Sequence, residues 1–148
     1  MTGLLIFLHL LGAIVWMGGM AFVLFSLRPA AFAELEVPQR PRLLLASLQR
    51  FFSLVWLSIA LLLASGLGMM LPVGFAHAPL AWHAMFGIGL VMMALFAHLF
   101  FAPFRRARRA AARQEWAVVA ASLQQMHTLV KVNFTLGWSA IAIVSLWR

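Results

Sequence analysis

Five histidines, nine methionines and no cysteine make up this chain's stock of soft and borderline metal ligands. Two of the histidines, His9 and His83, stand inside the apolar stretches "LIFLHLLGAIVWMGGMAFVLF" and "LAWHAMFGIGLVMMALFAHLFF". An ionisable ring placed in hydrocarbon is costly, which makes it a functional candidate by default. The bland alternative is an imidazole that merely hydrogen-bonds to a serine or a carbonyl of a neighbouring helix. Neutral imidazole binds copper, zinc and haem iron, so two converging rings make a metal or haem constellation. Met69, Met70 and Met85 lie toward the same end of their apolar runs. Thioether and imidazole together suit Cu(I), although methionine is also an ordinary filler of apolar gaps. Met85 falls about 200° around a helix from His83, so the expected metal set is His9, His83, Met69 and Met70. His98 and His127, at the opposite depth, form a candidate second, inner site. His77, in "PVGFAHAP", reads as a solvated loop residue.

Such ligands need elements that hold them at one depth. Of the 148 residues, 65% are hydrophobic and only 9% charged, against about 25% charged in a soluble domain. Four apolar runs, Gly3–Leu27, Phe51–Leu71, Leu80–Phe101 and Val132–Trp147, approach the roughly 20 residues that a spanning helix needs. The last is shortest and is expected to continue a helix begun near Trp116. With no water in the bilayer core, backbone amides must be satisfied within helices or a closed barrel. Runs this long without two-residue alternation are helices. The predicted fold is an all-α integral membrane protein, a single four-helix bundle over residues 1–148. The first run is too long, and its start too free of basic residues, for a cleaved signal peptide.

Ten of the eleven basic residues fall between runs one and two (Arg28, Arg40, Arg42, Arg50) or between three and four (Arg105, Arg106, Arg108, Arg109, Arg113, Lys131). The positive-inside rule then puts both termini outside, in the periplasm of a bacterial inner membrane. This clustering between spans also argues against a nucleic-acid partner for the net charge of +8. Pro29 and Pro103 mark places where helices one and three bend or stop. "LLLASLQRFF" and "AVVAASLQQMHTLV" read as amphipathic lead-ins lying along the inner interface.

The two halves echo each other. His9 and His83 lie 74 residues apart, as do Pro29 and Pro103, and "ASLQ" recurs at Ala46–Gln49 and Ala121–Gln124 with an offset of 75. A tandem repeat of two helix pairs, residues 1–74 and 75–148, would carry a pseudo-two-fold axis along the membrane normal. It would set His9 and His83 at one depth on parallel helices. At about 100° per residue, His9, Ala13, Trp16 and Met20 share a stripe flanked by Gly12 and Gly19. His83, Gly87, Ala94 and His98 share another. Small residues line helix contacts in membranes, so both stripes are expected to face the bundle interior.

"LHLLGAIVWMGGMAFVLFSLRPA", "RFFSLVWLSIALLLASGLGMML" and "WHAMFGIGLVMMALFAHLFFAPFRR" resemble the CopD family of bacterial copper-resistance membrane proteins, as a free-standing four-helix version. That resemblance implies copper binding or movement at the inner membrane beside a periplasmic copper-binding partner. It carries over His9, with Trp16, Gly18 and Gly19 as its helical setting. Larger family members have further spans that this chain lacks. A second resemblance is to HemJ-type protoporphyrinogen oxidases, four-helix proteins associated with haem b. Where those carry a lysine two residues past the histidine, this chain has Met85, which argues against the oxidase chemistry though not against haem.

Three functions follow. The first is copper handling through an outer His9/His83 site. The second is a haem b redox protein with His9 and His83 as axial ligands, and a second haem on His98 and His127; Gly12 and Gly87 would leave room for the macrocycle and a redox partner would be required. The third is a structural subunit of a membrane complex whose histidines bind nothing. Hydrolytic and phosphoryl-transfer enzymes are disfavoured, because Glu34, Glu36 and Glu115 all lie outside the spans and no intramembrane carboxylate serves as acid or base.

Overall fold

In the computed structural model, which describes residues 2–146, these residues form four long helices. They are α1 (Thr2–Glu34), α2 (Gln39–Val73), α3 (Leu80–Ala112) and α4 (Trp116–Leu146). Each is long and apolar enough to cross a bilayer, and the chain is a multi-pass membrane protein. At 1.5 Å per residue the helices run about 50 Å, well beyond a hydrocarbon core of about 30 Å. The surplus lies at the arginine-rich end. What reads in the sequence as two long basic loops is therefore mostly helix. The real connections there are Leu35–Pro38 and Arg113–Glu115.

The two amphipathic lead-ins do not lie along the interface; they are the first turns of α2 and α4 themselves. Leu44 and Leu48 of α2, with Val119, Leu123 and Met126 of α4, are buried in the same core as Ala107 and Ala110 of α3. Their apolar faces are covered by protein, which holds the helices upright. The α4 start at Trp116 is as expected.

Pro29 and Pro103 do not stop their helices either. Instead α1 widens to a π-helical turn at Val23–Leu27, just before Pro29, and α3 does so at Phe100–Phe104, around Pro103. A proline ring removes one donor and crowds the carbonyl four residues back; a π turn relieves both by relaxing the ladder to five-residue spacing. At the opposite end Gly74, with φ of +80°, closes α2 by donating to the Met70 and Leu71 carbonyls. A side chain there would be strained, and the chain turns through Phe75–His77 into α3.

Helix α1 packs chiefly on α2, and α3 on α4. The interior of α1 is Gly12, Trp16, Met20 and Leu24, so the stripe predicted from Trp16 and Met20 is the buried one. The expectation for α3 fails: Ala94, Gly87 and His98 are exposed, and Met92, Phe96, Leu99 and Pro103 are buried. Aromatic contacts explain which face won. Phe96 meets Trp16 at 6.2 Å and Phe52 at 5.4 Å, and Phe52 also meets Phe104 at 4.9 Å, each edge-on. Edge-to-face pairs of this kind add to simple packing, and small residues on the other face of α3 offer nothing comparable. Leu4, Phe7, Leu10 and Ile14 of α1 stay exposed, as lipid-facing side chains should.

Candidate functional site

His9 lies half-buried where α1 crosses α2, beside Gly66, with its Nδ1 atom 3.0 Å from the Ser65 hydroxyl. Ser65, 1% exposed, donates its single proton back to the Leu61 carbonyl at 2.5 Å. Its oxygen is then left to accept, so the proton between the two residues sits on Nδ1 of His9. In the tautomer that donates from Nδ1 to Ser65, Nε2 is unprotonated and carries the free lone pair. A serine that holds one imidazole nitrogen and leaves the other open is the arrangement a metal-binding histidine needs.

His83 reaches the same state by another route. It stands half-buried in the first turn of α3, and its Nδ1 lies 3.2 Å from the Pro79 carbonyl. A carbonyl only accepts, so Nδ1 carries the proton and Nε2 is again free. His9 is thus tied to α2, and His83 to the residue that precedes its own helix. Met70 is buried near the C-terminal end of α2, with Met69 and Met85 half-buried. Among the described residues no group of three or more His, Asp or Glu side chains is placed to share one ion.

The other histidines are set differently. His98 is exposed on α3. His127 is half-buried on α4, close to Arg28 and Lys131, with Nδ1 buried and lacking a hydrogen-bond partner. His77 is exposed in the turn after α2. The room expected for a macrocycle at Gly12 is taken up: a Cβ there would lie 3.1 Å from both Leu62 Cγ and the Ser58 carbonyl. Helix α2 fills that space on the Gly12 side. Gly87 is exposed and open.

Two interior features escape a reading by histidine and methionine spacing alone. Asn133, 4% exposed in the middle of α4, donates to the Met92 carbonyl at 3.3 Å, and its Oδ1 has no partner. Its signal was legible, a carboxamide inside the apolar run "VNFTLGW". One turn further on, the Met17 and Met92 side chains converge on Gly137. All eight described methionines are buried or half-buried.

The sequence model of copper resistance protein D matches residues 45–147. The chain belongs to the copper resistance protein D family. The CopD match runs from the second turn of α2 through α4. It contains His83, Met69, Met70, Ser65 and Asn133, and leaves His9 and the tryptophan–glycine stretch of α1 outside. No curated protein and no solved structure matches the chain.

Proposed function

We propose that this CopD-family chain binds copper at the end of the bundle opposite the arginines, with His9 and His83 as the nitrogen ligands and Met69 and Met70 as thioether donors. The observation that carries the reading is the pair of Nδ1 contacts, to the Ser65 hydroxyl at 3.0 Å and to the Pro79 carbonyl at 3.2 Å, which leave Nε2 of both histidines available to coordinate. Copper is cargo here, taken up as Cu(I) by a soft and borderline donor set. Met17 and Met92, meeting at Gly137 inside the bundle, support onward movement through it. The positive-inside rule orients the arginine end to the cytoplasm of a bacterial inner membrane and the histidine end to the periplasm. A periplasmic copper-binding protein would be the donor or acceptor. The haem reading is the weaker one because Gly12, where a macrocycle would need room, is packed against α2.

The tandem repeat belongs to this proposal. The matched spacings are joined by a π turn beside a proline in both α1 and α3. Leu48 and Leu123, the leucines of the two "ASLQ" copies, are both buried.

The test is copper retention by purified protein. Detergent-solubilised chain is loaded with Cu(I) under reducing conditions, washed with a weak chelator, and assayed for copper per polypeptide. Wild type should hold copper stoichiometrically, and His9→Ala and His83→Ala should each lose it. Full retention by both variants would sink the site and leave the structural-subunit reading standing.

A further inference from the structure

At the arginine-rich end, a cleft of about 440 Å³ opens between the last turns of α3 and the first turns of α4. Arg105, Arg106, Arg109 and Arg113 line it, with Glu115 as the single carboxylate. Three- and four-residue spacings put these arginines on one helical face. Arg108, from the same run, turns elsewhere and sits over the Phe104 ring. The guanidinium of Arg106 is held across the cleft by Ser122 at 3.0 Å and Gln125 at 2.6 Å. Both partners are neutral, so its position is fixed and its charge is not cancelled. Arg105 is steadied over the Phe101 ring at 5.1 Å. Four cations facing one carboxylate across a shared space repel one another and are relieved by a bound anion. Arginine forks match phosphate oxygens in particular.

The lining also has a direction. Phe101 and Ala102 form the apolar end of the same cleft, and Phe101 ends the third apolar run of the sequence. The cleft therefore straddles the edge of the hydrocarbon, with apolar lining toward the lipid and guanidinium groups beyond it. We infer that it binds the phosphate of an acidic phospholipid, with the acyl chains leaving along Phe101. Basic pockets between spanning helices take lipid head groups in this way. A free phosphate ion shares the polar half of that chemistry but has no use for the apolar end.

The experiment titrates delipidated, detergent-solubilised full-length protein by calorimetry with three probes: short-chain phosphatidylglycerol, short-chain phosphatidylcholine and inorganic phosphate. Phosphatidylglycerol should bind at one site per chain, and the other two at least about tenfold more weakly. The double variant Arg105→Gln/Arg109→Gln should lose roughly tenfold or more in affinity for phosphatidylglycerol, because two charge-assisted contacts go. Arg108→Gln should bind as wild type does. A second measurement needs no variant: wild-type affinity should fall as ionic strength is raised about tenfold, since screening shortens the reach of the charges. Equal binding of phosphatidylcholine, equal binding of inorganic phosphate, an unweakened double variant, or a salt-independent affinity would each overturn the inference.

Discussion

Ser65 and His9, 56 positions apart in the chain, share one proton path: the hydroxyl gives its hydrogen to the Leu61 carbonyl and takes one from Nδ1 of the imidazole at 3.0 Å. The serine thereby decides which nitrogen of His9 can bind a metal. It needs no contact with the metal to do so.

Ser65→Ala should therefore weaken copper binding while leaving both histidines in place. Loss of a partner that orients a ligating histidine typically lowers metal affinity by about 10–100-fold. Competition with a chromophoric Cu(I) chelator reads this directly. An unchanged affinity would mean that His9 orientation is set elsewhere.

Met69→Leu/Met70→Leu tests the thioether half of the site. The volumes nearly match, so the stability change should stay below about 1.5 kcal/mol even at the buried Met70. Cu(I) affinity should fall while thermal unfolding in detergent stays close to wild type. If both are unchanged, the methionines are packing residues only.

Gly12 and Gly87 are equally small but differently placed. Gly12→Leu must push α1 off the Ser58 carbonyl and Leu62, whereas a Cβ at Gly87 meets nothing within 4 Å and its exposed position leaves a leucine free to point outward. Overpacking of the first kind costs about 1–3 kcal/mol. Gly12→Leu should lower the unfolding temperature clearly and Gly87→Leu should barely move it. Equal effects would contradict the packing of α1 on α2.

Orientation has its own test. With ten basic residues at one end, the C-terminus should be periplasmic. A C-terminal fusion to a reporter active only in the cytoplasm should stay silent, and its periplasm-active counterpart should work.

The sequence made α1 legible because bulky and small residues fall on one stripe, Gly12, Trp16 and Met20, and that stripe is buried. For α3 the same reasoning chose Gly87 and Ala94, and the core took Met92 and Phe96 instead. In lipid both faces of a helix are apolar, so hydrophobic periodicity does not mark the interior; aromatic partners on α1 and α2 decided it. The arginine-rich segments read as loops by charge, yet arginine and alanine are strong helix formers. Arg105–Ala112 continues α3 accordingly. His9 and His83 stood out by cost alone; the Pro79 carbonyl lies at the four-residue helical spacing from His83, but Ser65, 56 positions from His9, is reached only through the packing of α1 on α2.

The π turn at Val23–Leu27 works as a phase shifter. One additional residue in a turn rotates everything beyond it by about 100° relative to an unbroken α-helix. Below that turn Arg28 reaches Gln124 on α4 at 2.6 Å, while above it His9 looks toward α2. The two ends of α1 therefore address different neighbours. Removing one residue from Val23–Leu27 would restore a continuous phase, swing Arg28 away from Gln124, and leave His9 facing Ser65.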